Sequence, residues 1–257
     1  MSEYNDLNFK IPVESDDYYE ASSFITKTIE GILEETINKG ENKIIINTNL
    51  KNGLPMENIN KIAGPIVEAW AAELFESISQ NNGNKWDLIH SEACPRLGMA
   101  DIILQFKKTT TFGSVITANV DSKATAEDLE NSGKSPNITS FARIRSAYVE
   151  DADFIFVILS LKHKVFCQKN AQTGLVDSIM EVVKYNAYDI KYISAPDISY
   201  NPALGTGQLQ IRDIHYVNLE KRTTWEFCQM LDAKYLSSKK HSFNDWLDLA
   251  TKNGWIK

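Results

Sequence analysis

Cysteine and histidine are scarce in this chain of 257 residues, which contains three cysteines and four histidines. Cys94, Cys167 and Cys228 are odd in number, lie far apart and lack CxxC spacing, which argues against a disulfide framework and indicates reduced thiols. The histidines are isolated from one another along the sequence, so the grouped Cys and His ligands of a typical zinc site are not expected.

Long apolar runs and a basic surplus are also lacking. No apolar run approaches the length of a membrane span and the first residues are polar and acidic, so we expect a cytoplasmic protein. The net charge of −7 counts against nucleic-acid binding, which usually goes with a basic surplus. The excess acid lies in residues 1–35, however, and residues 36–257 carry equal numbers of acidic and basic side chains. A basic groove is therefore compatible with the rest of the chain.

The composition is that of a globular protein, with 43% apolar and 24% charged residues and no linker-like stretch. Some segments have apolar residues at the spacing of strands and others at the spacing of helices, which predicts an α/β fold with a central mixed β-sheet flanked by helices. We expect one domain over residues 1–257. The predicted helices cover residues 16–40, 58–75 with an interruption at Gly64-Pro65, 138–149, 173–184, 223–236 and 243–253. The predicted strands cover residues 44–46, 86–90, 154–161 in a hairpin with 164–168, 188–193 and 209–216.

The most informative stretch is a predicted β-hairpin over residues 98–125. Its two apolar strands flank a polar, glycine-containing loop at residues 107–113, and antiparallel pairing would bring Asp101 near Asp121. Because side chains alternate along a strand, Asp121 and Lys123 share one face while Ser122 points to the other. Two carboxylates and one ammonium group are therefore predicted to converge.

This combination is typical of metal-dependent phosphodiester hydrolysis. Carboxylate oxygens are preferred ligands of Mg²⁺, and a neighbouring lysine can stabilise the charge that develops on phosphate or hold the attacking water. The spacing alone is equally that of two aspartates at strand ends and a solvated lysine, and the bare pattern favours that simpler interpretation. The apolar strand that ends in Asp121-Ser-Lys123 and the Gly/Ser/Asn-rich loop after it shift the balance towards a site.

Three ordered runs resemble the type II restriction endonucleases of the PD-(D/E)xK superfamily, and within them the HpaI and HincII group. They are Ala100-Asp-Ile-Ile-Leu104, Asp121-Ser-Lys-Ala-Thr125 and Ser135-Pro-Asn-Ile-Thr-Ser140. Further similar runs lie at residues 44–49, 60–65 and 199–208, so the resemblance covers nearly the whole chain. Ala100 stands where the superfamily has its name-giving proline, which is not a metal ligand.

The resemblance implies a restriction-endonuclease-like core and Mg²⁺-dependent cleavage of double-stranded DNA by a homodimer within a restriction-modification system. It implies that Asp101 and Asp121 bind metal, with the Ser122 carbonyl as a further candidate ligand, and that Lys123 orients or stabilises the reacting groups. Glu68 matches a glutamate that the superfamily carries near the metal, so it is a candidate accessory acid. An exposed or helix-paired glutamate is the alternative.

The same resemblance divides the chain into three regions. A helical region over about 1–80 is expected to serve dimerisation and DNA contact, a catalytic core lies at about 86–218, and helices over about 222–257 close the chain. The implied site is GTTAAC with blunt cleavage, and GTYRAC is the nearest rival. Two other functions stay open: a structure-specific repair or junction nuclease on the same core, and a DNA-binding protein without catalysis.

Residues that could contact DNA lie in three loops and one strand. Asn137 matches an asparagine that contacts bases in the resembling enzymes, and Asn and Gln side chains read adenine in the major groove. Asn201 could instead be a turn-former before Pro202, and the glutamines could belong to a solvated strand face. The candidates are Lys51, Lys134, Ser135, Asn137, Asn201, Gln208 and Gln210.

Overall fold

The computed structural model describes residues 2–95, 98–203 and 205–257. The helices are α1 (Ser2–Asn5), α2 (Tyr18–Asn38), α3 (Met56–Ser79), α4 (Phe141–Glu150), α5 (Thr224–Leu236) and α6 (Phe243–Lys252). The strands are β1 (Lys43–Ile46), β2 (Leu88–Ala93), β3 (Ile102–Thr110), β4 (Gly113–Ala126), β5 (Asn137–Ser140), β6 (Ile155–Lys169), β7 (Val176–Asp189), β8 (Ile198–Asn201) and β9 (Gln208–Ile211). Within the described ranges, no helix combines the length and apolarity needed to cross a membrane.

A six-stranded mixed sheet forms the centre, in the order β1-β7-β6-β4-β3-β2, and helices flank it as predicted. The strands β4 and β6 are parallel, and the remaining neighbours in this sheet are antiparallel. The hairpin of β3 and β4 is confirmed, with Ile102 opposite Val120. Its loop is shorter than the predicted 107–113, because the β-branched residues Thr109 and Thr110 continue the strand.

Two hydrophobic cores lie on the two faces of the sheet, and β6 contributes to both. Val157, Leu159 and Leu161 pack with α2 and α3, whereas Phe156 and Ile158 pack with α4, α5 and α6. Both faces of β6 are therefore buried, which explains why its sequence is a continuous apolar run rather than an alternating one.

A second, three-stranded antiparallel sheet has the order β5-β9-β8. Its first strand leads directly into α4, whose first turn is capped by the Ser140 side chain accepting a hydrogen bond from the Arg143 backbone N–H at 3.3 Å. Residues 138–140, predicted to begin a helix, therefore belong to the strand β5 instead. The predicted strand over 209–216 ends at Ile211.

Several other predicted elements are wrong. Residues 164–168 continue β6 instead of returning as a hairpin, and the predicted helix over 173–184 is the strand β7, hydrogen-bonded to β6 and β1. The predicted strand over 188–193 ends at Asp189 and gives way to a 3₁₀ turn, Ile190–Tyr192. The helix α3 runs through Pro65 without the interruption expected there.

Candidate active site

The catalytic candidates gather where β4 extends beyond its neighbour β3. The pairing of these strands ends at Ile102 and Val120, so residues 121–126 of β4 pair with β6 on one side and present backbone groups on the other. Along an antiparallel edge, alternate residues direct their N–H groups to the same side. The N–H groups of Ser122 and Ala124 lie on this edge and are therefore available to side chains.

Carboxylates accept from both of these N–H groups. The Ser122 N–H donates to Asp101 Oδ2 at 2.8 Å, and the Ala124 N–H donates to the Glu68 carboxylate. The backbone of Asp101 is also bound to β4, because its N–H donates to the Val120 carbonyl at 2.9 Å. Strand β4 thus fixes one carboxylate from the hairpin and one from α3 beside its own Asp121.

Asp121 and Lys123 form an ion pair on one face of β4, as their spacing predicts. Lys123 Nζ lies 2.9 Å from Asp121 Oδ1 and 2.8 Å from Oδ2, and it also donates to the Ser122 carbonyl at 3.3 Å. Asp121 is 4% exposed, whereas Asp101 lies open to solvent. The site therefore has a buried carboxylate at its base and an exposed one at its rim.

Burial and neighbouring charges shift the pKa values of Asp121, Glu68 and Lys123. Burial is the main cause that raises the pKa of Asp121 to about 7; Lys123 opposes this rise, and the charges of Asp101 and Glu68 add to it. Burial likewise raises the pKa of Glu68. Burial lowers the pKa of Lys123, but the carboxylates of Asp121, Asp101 and Glu68 together outweigh it and the net shift is upward, so this lysine carries its charge at neutral pH.

The donor set suits a divalent metal ion with oxygen ligands. Asp121 Oδ2 is buried and accepts no hydrogen bond from the described residues, although the Lys123 ammonium lies beside it. Asp101 offers an exposed carboxylate, and the Ser122 carbonyl lies on the same strand edge. No three His, Cys, Asp or Glu side chains group closely enough to form a metal site by themselves in residues 2–95, 98–203 and 205–257. Two carboxylates, one carbonyl and water are compatible with Mg²⁺, which commonly retains several waters.

The candidate base-reading residues meet on the second sheet, although the sequence places them in separate segments. Asn137 lies opposite Gln210, and Gln210 Nε2 donates to Asn137 Oδ1 at 3.0 Å. Gln208 and Gln210 alternate with the buried residues Leu209 and Ile211, so both glutamines lie on the outer face. Gln210 and its pair Asn137 thus offer amide groups on one polar strand face.

The other DNA-contact candidates occupy different settings. Asn201 Oδ1 accepts from the Ala203 N–H at 3.0 Å, which is the turn-forming role that the sequence left open. Leu204 lies outside the described residues. Lys134 is half exposed and paired with Asp213, and Ser135 adopts a left-handed conformation with φ of 49°. Lys51 is exposed in the turn between β1 and α3.

Two polar residues near this end of β4, Ser132 and His215, were not predicted as part of the site. The Ala126 N–H, next along the same edge, donates to Ser132 Oγ at 2.8 Å. The His215 ring hydrogen-bonds Thr125 Oγ1 at 2.7 Å, although 90 residues separate them. The sequence carried no signal for His215, because its partner is determined by how distant strands are placed. Ser132, in contrast, lies in the Gly/Ser/Asn-rich loop after β4, which the sequence pattern associates with the site.

Two comparisons with known proteins show the family of the chain. A family model described as type II restriction endonuclease HpaI matches residues 5–254. Among curated proteins, the Type II restriction enzyme HpaI of Haemophilus parainfluenzae is 56% identical over 254 residues, which cover 99% of each chain. Both matches span the β3–β4 hairpin, the second sheet and the C-terminal helices.

Proposed function

Because the chain belongs to the HpaI family of type II restriction endonucleases, we propose that it cuts double-stranded DNA at GTTAAC, leaves blunt ends and uses Mg²⁺. Family membership makes it a site-specific deoxyribonuclease, which hydrolyses phosphodiester bonds in DNA. The choice of GTTAAC rests on the high identity to HpaI along the whole chain. Cleavage at GTYRAC is the nearest alternative.

The convergence of Asp101, Asp121 and Lys123 at the projecting end of β4 is the observation that carries the catalytic proposal. Asp101 and Asp121 would hold the metal ion with help from the Ser122 carbonyl. The main support for this assignment is the buried Asp121 Oδ2, which has the Lys123 ammonium beside it but accepts no hydrogen bond from the described residues. When bound, Mg²⁺ supplies charge neutralisation at the phosphate and activation of the attacking water. Glu68 would act as an accessory acid on the same strand edge.

Lys123 has a separate part in this proposal. The neighbouring carboxylates, Asp121 foremost, overcome the effect of burial and raise its pKa, so its side chain is an ammonium and not a general base. A protonated lysine can hold the attacking water or offset negative charge on the phosphoryl oxygens, but it has no lone pair with which to take a proton.

Base reading and assembly complete the proposal. The amides of Asn137, Gln208 and Gln210 would face base edges, and Lys51, Lys134 and Ser135 would contact the backbone. Asn201, whose side-chain oxygen is used in its own turn, is left with its amide NH₂ for DNA. A palindromic site is matched most simply by a two-fold homodimer with one active site per strand. A methyltransferase protecting the same site would be the partner enzyme, and the cytoplasm is the compartment that this function requires.

Digestion of an unmethylated plasmid with mapped GTTAAC and GTYRAC sites tests the proposal. The wild type should give discrete blunt fragments from GTTAAC sites with Mg²⁺ and none with a chelator. Asp121→Ala should give no fragments, whereas Asp248→Ala, which alters an exposed carboxylate on α6, should cut like the wild type. Fragments that map to other sequences would refute the assigned site. Structure-dependent nicks, or a gel shift without cleavage, would instead support the junction nuclease or the non-catalytic binding protein.

A further inference from the structure

The His215 imidazole lies between two hydroxyl groups of the strands that carry the active site. Its Nε2 is 2.7 Å from Thr125 Oγ1, and its Nδ1 is 3.0 Å from Ser160 Oγ. Thr125 follows Lys123 by two residues on β4, and Ser160 on β6 is the register partner of Lys123. One ring therefore contacts both strands next to the lysine of the active site.

The backbone around His215 is fastened to the loop that leads to the second sheet. The His215 N–H donates to Asp213 Oδ1 at 2.9 Å, and the other oxygen of Asp213 pairs with Lys134. The Ile214 N–H donates to the Gly133 carbonyl at 3.2 Å. Since residues 212–215 directly follow β9, this segment links the base-reading face to the loop after β4.

Gly133 packs directly against the ring. It has φ of 88°, and a Cβ placed on it would lie 3.0 Å from His215 Nε2, closer than side chains normally approach. Burial lowers the pKa of His215, and Lys162 lowers it further. The ring is therefore neutral at pH 7 and has one N–H donor and one acceptor nitrogen, each facing a hydroxyl group that can complement it.

We propose that His215 is a positioning residue that couples base reading to cleavage in this endonuclease. It fixes the strand that carries Asp121 and Lys123 relative to the sheet that carries Asn137 and Gln210. Contacts with the correct bases fix the position of the second sheet. Through its hydrogen bond to the Thr125 hydroxyl group, the His215 ring then fixes the position of the catalytic strand β4. This inference rests on the proposed function, because it assigns the second sheet to base reading.

Single-turnover cleavage by His215→Ala tests the coupling on GTTAAC and on sites that differ from it by one base pair. Displacement of reacting groups by about 1 Å can cost about 100-fold in rate, so the cognate rate should fall between about 10-fold and 100-fold. Cleavage rates at near-cognate sites should fall less, so the ratio of the cognate rate to the near-cognate rate should decrease. Binding of the cognate duplex, measured by gel shift in chelator, should stay within about 3-fold because no direct DNA contact is removed.

Two further variants separate positioning from loss of structure. His163→Ala removes a histidine that is 2% exposed and whose ring nitrogens make no hydrogen bond with the described residues, so it should lower the unfolding midpoint but preserve discrimination. Thr125→Val replaces only the hydroxyl group with a methyl group. It should reproduce the narrowed discrimination between cognate and near-cognate sites, and it should add nothing to the effect of His215→Ala.

The outcomes remain distinguishable. If the wild type fails to cut GTTAAC, the proposed function is wrong. If the wild type cuts but Thr125→Val and a folded His215→Ala keep its rate and discrimination, the coupling role is refuted. If His215→Ala does not fold, Thr125→Val alone decides, and unchanged discrimination in that variant also refutes it.

Discussion

Replacing Asp121 with asparagine should stabilise the metal-free protein while destroying its activity. Burial raises the pKa of this carboxyl from 3.8 to about 7, so ionisation is less favourable in the folded chain than in the unfolded one. At about 1.4 kcal/mol per pKa unit, the shift corresponds to at most about 4 kcal/mol of lost stability above pH 7. Because the pKa is raised, this cost is absent below pH 4, grows as the pH rises towards 7 and is fully present above it.

That limit already includes the attraction of Lys123, and the expected gain in Asp121→Asn is smaller because an amide does not reproduce the contacts of the protonated carboxyl beside this ammonium group. We expect the free energy of unfolding to rise by about 1 kcal/mol at pH 8, which raises the melting temperature of a chain of this size by about 2–4 °C. At pH 5 the difference should shrink, because the wild-type carboxyl is then mostly protonated. Thermal unfolding in chelator, followed by circular dichroism at both pH values, measures this.

Addition of Mg²⁺ should reverse the order of stability. A ligand that binds only the folded state stabilises it by about 2.7 kcal/mol at one hundred times its dissociation constant, and Asp121→Asn should lose most of that gain. Asp248→Asn, altered on the exposed surface of α6, should match the wild type in both conditions. A variant less stable than the wild type at pH 8 in chelator would show that the ion pair with Lys123 outweighs burial. Equal stabilisation of both proteins by Mg²⁺ would show that Asp121 does not bind the metal.

Two further predictions concern the lysine and the amide pair. Lys123→Ala should reduce the single-turnover cleavage rate by at least about 100-fold, because it removes charge stabilisation at the phosphate. The gel shift with cognate DNA should persist, because no base contact is lost. A cleavage rate within about 10-fold of the wild type would contradict this prediction. Asn137→Ala and Gln210→Ala should each weaken binding to GTTAAC by about 1–3 kcal/mol. The double variant should lose less binding free energy than the sum of the two, because the two amides share a hydrogen bond. Strictly additive losses in the binding titrations would argue against a shared reading unit.

The part of the site that sequence predicts well is the part that is local. Asp101, Asp121 and Lys123 lie on one hairpin, so strand periodicity alone brings them together. Glu68 reaches the site because α3 packs against β4. Its place in the site was predicted from the family resemblance and not from the periodicity of the sequence. The pairing of Asn137 with Gln210 spans 73 residues, and no local pattern reveals such a register.

The wrong elements have the same physical origin. Residues 173–184 contain apolar side chains at both strand and helix spacings, and pairing with β6 and β1 decides in favour of a strand. Helix α3 continues through Pro65 because its apolar residues on either side, including Ala63 and Val67, are fully buried against the sheet. Tertiary packing thus overrides the local signal in both cases.

Strand β6 contributes to both hydrophobic cores, and this has a consequence for inactivation by heat. Its alternate side chains fill opposite faces of the sheet, so detaching this strand would expose both halves of the interior in one step. Strand β4 is hydrogen-bonded to β6 from Ala118 to Ala126 and would lose that neighbour at the same moment. We therefore expect neither half to unfold while the other keeps the catalytic strand in place, and cleavage activity and the fold to be lost together on heating.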